Sequence, residues 1–521
     1  MLQRRTKHFP ATLAIKDRIA HLKSNRQVGK LVSFDLDHAF DRVDQSFLFT
    51  TMRSMGFNTA LVELLSRIAS LSSSRLLING HLSTPFPIQR SVRQGDPLSM
   101  HLFVLYLHPL LCRLEQVSGT DLIVAYADDI SVITTSIAKL DSMRDCFRRF
   151  ERIAGARLNE NKTTAIDVGL IRNSLAVPWL RTENSIKILG VVYTNSVRTM
   201  VKINWDALVT NFSRLVWLHS PRSLALHQKV TLLNTFLSSK MWYIAANLSP
   251  TAAHVAKLTA TMRRYLFRGA CATVPMHQLA RRKKDGGLNL HLPVLKCKAL
   301  LINRHLHEIE TLPFYNSYIS QINPPQQIIN TDLPCLKQIL ENYPNLPFQI
   351  RECPSTSLIH RFFIQRTEKP KVETTNPEIN WRRVWKNIGN RDLLPTQRSV
   401  LYMWVNQKVP HRRLLNIMRR TDGEQCIYCT VAVTETIEHK YVSCPRVHDA
   451  FALLQQNLNT ATETRRNFRY EDLQRPTLEN LSLNEKTMIL KLLVCYISFI
   501  DNCNNRIIDV DELRFNFQII E

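Results

Sequence analysis

Two sets of residues in this sequence have the types and spacing to do chemistry. The first is acidic. Asp35 closes the apolar run Leu31-Val-Ser-Phe34, and Asp128 and Asp129 sit between the apolar runs Leu122–Tyr126 and Ile130–Thr134. That pattern predicts a strand ending in one acid and a tight hairpin carrying two more. Charge beside buried strands is costly unless a cation compensates it. If the hairpin pairs beside the first strand, Asp35 and Asp128 converge. Such a pair can hold two Mg²⁺ about 3.5–4 Å apart and stabilise the attacking and leaving oxygens of a phosphoryl transfer. By itself an Asp-Asp doublet is more often a plain turn, and a lone strand-end Asp a solvated acid. The second set is Cys426-x₂-Cys429-x₉-His439-x₄-Cys444, three thiolates and an imidazole suited to tetrahedral Zn²⁺. His439 and Cys444 are five apart, about 140° around a regular helix, so they do not both face inward from mid-helix. The spacing predicts Cys444 just before a helix, with Pro445 at its first position and Val447, Ala450, Phe451 and Leu454 on its face. His448 competes with His439 as the fourth ligand, and the competing use of the cysteines is as reduced core thiols.

The elements that must position these residues can be read from apolar periodicity. A helix is predicted over 11–23 and a buried strand over 31–36. Asp44 and Asn58 cap two further helices, the second with Leu61, Leu64, Leu65 and Ile68 on one face. Leu76–Asn79 and Pro87–Ser91 read as short strands, and 97–116 as a long helix. After the hairpin, Ile137, Leu140, Met143, Phe147 and Phe150 mark a helix closed by Gly155. Leu189–Tyr193 reads as one more strand. Residues 31–193 thus predict an α+β layer, an antiparallel sheet with helices. Helical signals dominate 201–310, ending in the basic run Arg281–Lys284. Prolines loosen 311–380, and Trp381, Trp385 and Trp404 lead, as core residues, into the cysteine cluster.

In order and spacing, Phe34–Val43 (FDLDHAFDRV), Arg93–Ser99 (RQGDPLS) and Tyr126–Asp129 (YADD) resemble motifs A, B and C of reverse transcriptases. The wording is closest to the enzymes of non-LTR (LINE-type) retrotransposons. Leu158–Thr163 (LNENKT) looks like their motif D, and Ile188-Leu-Gly190 like the primer grip. The segment around Cys426–Cys444 is similar to the zinc-binding segment after many LINE-type polymerases. The resemblance implies a right-hand polymerase palm over 31–200, a helical thumb over 201–310, a linker-like 311–380, a zinc-binding module over 381–460 and a helical extension over 461–521, with 1–30 a basic remnant of the fingers. By motif position, Asp35 and Asp128 resemble the Mg²⁺-binding carboxylates, Asp129 their supporting third, and the Leu36 carbonyl part of one metal's shell. Phe40 matches the bulky side chain that excludes a 2′-hydroxyl, or is an ordinary core aromatic. Gln94 and Gly95 would lie against nucleotide and template, Lys162 matches the lysine that protonates pyrophosphate, and Leu189 and Gly190 fall in the primer grip. Asp37, Asp41 and Asp96 have no catalytic counterpart. The implied cofactors are two Mg²⁺ (or Mn²⁺) and one structural Zn²⁺. The implied partners are dNTPs, an RNA template, a DNA primer or target, and the element's own RNA in a ribonucleoprotein.

Composition agrees with that partner class. Sixty-eight Lys and Arg stand against 43 Asp and Glu, a net +25, which suits a polyanion. Thirteen glycines in 521 residues fall below the usual ~7%, and no glycine-rich nucleotide loop of the GxxxxGK[ST] or GxGxxG type occurs. Eleven scattered cysteines fit an intracellular protein of nucleus or cytoplasm, and no apolar run is long enough for a membrane span. The resemblance departs from complete relatives in two ways: motif A begins near residue 31, leaving little of the fingers before it, and no endonuclease residues accompany the polymerase motifs. Two readings follow, an RNA-directed DNA polymerase or a non-catalytic nucleic-acid-binding relic.

Overall fold

The computed structural model describes residues 8–170, 176–268, 273–308, 355–462, 467–503 and 508–520. It divides into two compact units. The first runs to Trp205 and takes in Asn247–Ser249; the second comprises Asp206–Ala246, Pro250–Asn303 and the described residues from 355 onward.

In the first unit, helix α1 (His8–Ser24) leads into strand β1 (Val28–Phe34), then helices α2 (Gln45–Ser54), α3 (Thr59–Ser70) and α4 (Ser99–Ser118). Hairpin strands β2 (Leu122–Tyr126) and β3 (Asp129–Thr134), helix α5 (Ile137–Ala154) and strands β4 (Thr164–Gly169) and β5 (Arg181–Thr182) complete the layer. The sheet order is β5-β4-β1-β3-β2, antiparallel except for the β4–β5 edge. β1 therefore lies at the centre and is buried along most of its length. Val32 and Phe34 turn toward α4 and α5 in one core, where Phe34 meets Phe147 at 4.9 Å between ring centroids. Gly29 turns to the other face, where a Cβ would come within 3.0 Å of Leu22 in α1. The α+β layer is as expected, and the caps are where the sequence put them: Asp44 accepts from the Phe47 amide, Asn58 from Ala60 and Leu61, and Gly155 ends α5 at φ 88°.

The helix expected over 11–23 is present as α1, which buries Leu13, Ile15, Ile19 and Leu22, and two of its lysines are engaged. Lys16 donates to the Asn247 carbonyl at 2.5 Å and Lys23 to that of Asn195. Arg4, Arg5 and Lys7 lie outside the described residues. Strand β4, next to β1, escaped the sequence reading because Ala165-Ile166-Asp167-Val168 is short and broken by an acid. That acid has a purpose. Lys30, 1% exposed, pairs with Asp167 at 2.7 Å and donates to Thr182. Removing one partner of a buried pair strands the other, so Asp167→Ala should cost about 3–5 kcal/mol, read by denaturant unfolding. On the apolar face of α3 Leu65 packs against the core, but Leu61, Leu64 and Ile68 are exposed, the last two more than half accessible. Leu77–Ile78 pairs with His81–Leu82 around Asn79-Gly80, and Phe86–Pro87 pairs with Ser73–Ser74.

The second unit is helical. The stretch expected to be linker-like is partly packed: Thr356–Gln365 is a helix burying Ile359, Phe362 and Phe363, and Lys371–Thr375 forms another turn. Residues 309–354 of that stretch lie outside the described set. Trp381 and Trp385 stack at 5.6 Å and Trp404 is 2% exposed, all three in the core. Hydrogen bonds run from the segment 381–460 to residues on either side of it. The Trp404 indole donates to the Leu473 carbonyl, and the Tyr402 hydroxyl to that of Gly286. No described helix is long and apolar enough to cross a membrane.

Candidate active site and metal centre

The β2–β3 hairpin turns in two residues, Ala127 and Asp128, with Ala127 at φ 52°. A left-handed non-glycine residue is unusual and fixes how the tip projects. β1 pairs with β3 up to Phe34 opposite Ile130. One step further along that register sets Asp35 level with Asp129, and Asp128 stands beyond it at the tip. Both hairpin acids are exposed, whereas Asp35 is half-buried. Burial raises the Asp35 pKa, Lys162 opposes that, and the charges of Asp128 and Asp37 add to it. Asp35, Asp128 and Lys162 thus share one electrostatic site. Asp37 is engaged elsewhere, paired with Arg42 at 2.9 Å.

The motif D loop is tied to Asp35 by its backbone. The Asn159 amide donates to the Asp35 carbonyl at 2.8 Å, and the Asp35 amide to the Thr163 hydroxyl at 3.3 Å. Thr163 in turn donates to the Asn159 carbonyl, and the Lys162 amide to the Asn159 side chain. Leu36 pairs with Leu158, closing the same clamp. Lys162 is therefore positioned by hydrogen bonds to the strand end that carries the acid. Two carboxylates close enough for their charges to interact, one of them raised by burial, are chemically of the type that binds a divalent cation.

Phe40 is half-buried and stacks on Phe103 of α4, centroids 4.4 Å apart and planes 16° from parallel. The Val92 amide donates to the Phe40 carbonyl and that of Ser91 to Val43, joining motif A to the turn carrying Gln94 and Gly95. Both of those residues are exposed, and Gly95 adopts φ 90° with open space where a Cβ would stand. Leu189 and Gly190 are not strand. They form the two-residue turn between Ile186–Ile188 and Val191–Tyr193, at φ 48° and 79°. That is the positive-φ pair of a tight hairpin, with Gly at the second place.

The cysteine cluster closes. Cys426, Cys429, His439 and Cys444 hold their ligand atoms within 4.8 Å of one another. The Sγ atoms of Cys426 and Cys429 each lie 3.9 Å from that of Cys444, and Cys429 Sγ lies 3.4 Å from His439 Nε2. A tetrahedron with Zn–S near 2.3 Å and Zn–N near 2.05 Å has edges of about 3.8 and 3.6 Å, so the donors fit zinc. The angular problem of His439 and Cys444 is solved by a wide turn over His439–Ser443, in which the Cys444 amide donates to the His439 carbonyl five residues back. Cys444 then caps a short 3₁₀ turn, Pro445–Val447, that runs into the helix His448–Thr462. Val447, Ala450 and Leu454 are buried as expected, whereas Phe451 is only half-buried and Leu453 and Leu458 share the face. His448 is outside the cluster. Burial pushes the Cys444 thiol up to about 12 and raises that of Cys426.

Residues 2–193 match the reverse transcriptase (RNA-dependent DNA polymerase) family, so the match takes in α1 as well as the motifs. The chain is 28% identical over 46% of its length to the Transposon TX1 uncharacterized 149 kDa protein of Xenopus laevis, of which it covers 19%. It is 25% identical over 54% of its length to a Pol polyprotein from the type-1 retrotransposable element R2 of Popillia japonica, covering 42% of that protein. For the polyprotein of the type-2 element R2DM of Drosophila melanogaster the figures are 24%, 50% and 26%. The chain thus spans less than half the length of each of these relatives. Among solved structures, telomerase from Candida albicans with a fragment of telomeric RNA is similar over 68% of this chain and 53% of its own, at 13% identity and a TM-score of 0.33. Residues 2–193 are thus similar to reverse transcriptases. The chain's sequence kinship is with the proteins of non-LTR retrotransposons.

Proposed function

We propose that this chain is an RNA-directed DNA polymerase of a LINE-type retroelement. The observation that supports it most is the convergence of Asp35, Asp128 and Lys162 on one strand end, in a domain of reverse transcriptase type. Asp35 and Asp128 would hold the two Mg²⁺ (or Mn²⁺), with Asp129 and the Leu36 carbonyl in support. When bound, these ions supply the charge neutralisation that phosphoryl transfer from a dNTP requires. Lys162, whose backbone is tied through Asn159 to the strand end carrying Asp35, would give a proton to the departing pyrophosphate. Gln94 and Gly95 offer an open surface for nucleotide and template, and the turn Leu189–Gly190 steadies the primer strand. Zinc at Cys426, Cys429, His439 and Cys444 is structural. We further read 31–200 as palm, 201–310 as thumb, and the zinc-bearing segment as a nucleic-acid contact, with the element RNA as partner in nucleus or cytoplasm.

The test is extension of a DNA primer on an RNA template by the purified chain with dNTPs and Mg²⁺. Binding without extension would return the chain to a non-catalytic relic. Phe40 gives a sharper check. Its ring is fixed by Phe103 rather than free, as a barrier to a 2′-hydroxyl needs to be. Phe40→Ala should raise rNTP use relative to dNTP by an order of magnitude or so, about 1.4 kcal/mol of discrimination, while synthesis continues. Unchanged discrimination in a folded, active variant would leave Phe40 as packing.

A further inference from the structure

The second unit contains a small cleft lined by His227, Lys283, Leu288, Trp385, Arg398 and Tyr402. Its volume is about 20 Å³, room for one or two groups the size of water or a phosphoryl oxygen. Its walls carry cations without acids. Among the described residues no carboxylate pairs with Lys283 or Arg398, and the buried Arg398 Nε has no hydrogen-bond partner. The nearby acids are committed: Asp285 pairs with Arg282 at 2.6 Å, and Glu373 accepts from the Trp385 indole at 2.6 Å. His227 Nδ1 lies 3.1 Å from the Ser399 hydroxyl, whose own proton goes to the Pro395 carbonyl. Burial, then the charges of Arg398 and Lys283, lower the His227 pKa to about 4. Two uncompensated cations at one cleft repel each other, a cost that a bound anion would relieve.

The rest of the basic run sharpens the point. Arg281 is buried and donates to the Asp285 and Thr367 carbonyls, and Arg282 is paired, so half of Arg281–Lys284 is structural. Lys283 is exposed at the cleft, and Lys284 is exposed beside it.

We infer that this cleft is a phosphate-binding site, in which Lys283 and Arg398 receive the oxygens of a nucleic-acid backbone phosphate. The inference rests on the chain's being a nucleic-acid-binding protein and adds a binding point far along the sequence from the polymerase motifs. A bound phosphate would offset the repulsion between Lys283 and Arg398.

The test uses the full chain and a fluorescent single-stranded oligonucleotide, with affinity measured across salt concentrations. Removing one cation that pairs with a phosphate should flatten the slope of log affinity against log salt by about 0.7–1. Lys283→Gln and Arg398→Gln should each do so and weaken binding severalfold. Lys284→Gln should keep the wild-type slope. Lys283 is exposed, so its substitution leaves folding intact even if that of Arg398 does not. A wild-type slope in Lys283→Gln overturns the site. Inorganic phosphate, followed by ³¹P line width, separates the sources. If the variants no longer bind phosphate yet keep the oligonucleotide slope, this is a free-anion site and the nucleic-acid assignment is overturned. If the wild type shows no salt-dependent binding, both the site and the nucleic-acid reading fall. Primer extension with unaltered slopes in the variants removes the site alone.

Discussion

Asp128→Asn should lower primer extension at least about 10³-fold while leaving the fold intact. Losing a charge that holds the catalytic ions removes several kcal/mol of transition-state stabilisation, at about 1.4 kcal/mol per tenfold in rate. Asp128 stands exposed at a two-residue hairpin tip, outside the β2–β3 ladder, so its substitution should change stability by no more than about 0.5 kcal/mol. Asp35→Asn should be as inactive, with a different signature. Burial and the facing Asp128 raise the Asp35 pKa, so its ionised form destabilises the folded state above the ordinary carboxylate pKa, and that cost disappears as pH falls below it. Removing the charge should therefore hold or increase thermal stability at neutral pH without added metal. Mg²⁺ should raise the melting temperature of the wild type, because it binds the folded state, and should do little for either variant. Near-normal extension by Asp128→Asn, or equal Mg²⁺ stabilisation of wild type and both variants, would sink the metal assignment.

How far such a site can be read in advance depends on whether its determinants are local. The hairpin was legible because two apolar runs separated by so few residues have no other economical geometry, and the Asp44 and Asn58 caps because capping is a one-turn interaction. The clamp of Asn159 and Thr163 on Asp35 was not, since only folding brings residues so far apart in the chain together. Nor was the Lys30–Asp167 pair, because a lone Lys and a lone Asp look like surface charge until β1 and β4 are aligned. The α3 face failed for the opposite reason. Periodicity marks which residues share a face, but not whether that face meets a partner, and Leu64 and Ile68 are left largely exposed. At the cysteine–histidine cluster the four side chains come together and Cys444 precedes the Pro445 turn as expected, but the wide turn that brings His439 to Cys444 was not foreseen. A regular helix forbids His439 and Cys444 from converging, and the wide turn that permits it leaves no mark in composition.

That centre carries the second large effect. The intact protein should contain one zinc per chain by elemental analysis, and removal by a strong chelator should unfold at least the region around it. Apparent binding free energies of structural zinc are about 10–16 kcal/mol at neutral pH, comparable with the whole stability of an ordinary domain. The loss should also spread. Tyr441, within the turn that presents His439, donates to Asp501 at 2.6 Å, Lys440 reaches the same carboxylate at 2.7 Å, and the Tyr496 hydroxyl donates to the Tyr441 carbonyl. Asp501 and Tyr496 belong to the helix Leu483–Asn502, so releasing the metal should loosen that helix, visible as faster amide exchange along it. Cys429→Ser should reproduce the chelated state, because Cys429 Sγ is close to both His439 Nε2 and Cys444 Sγ. His448→Ala should keep its zinc and wild-type exchange, since His448 lies outside the cluster. Folded protein purified without chelators and found free of zinc, or Cys429→Ser indistinguishable from wild type, would leave the three thiols as core residues.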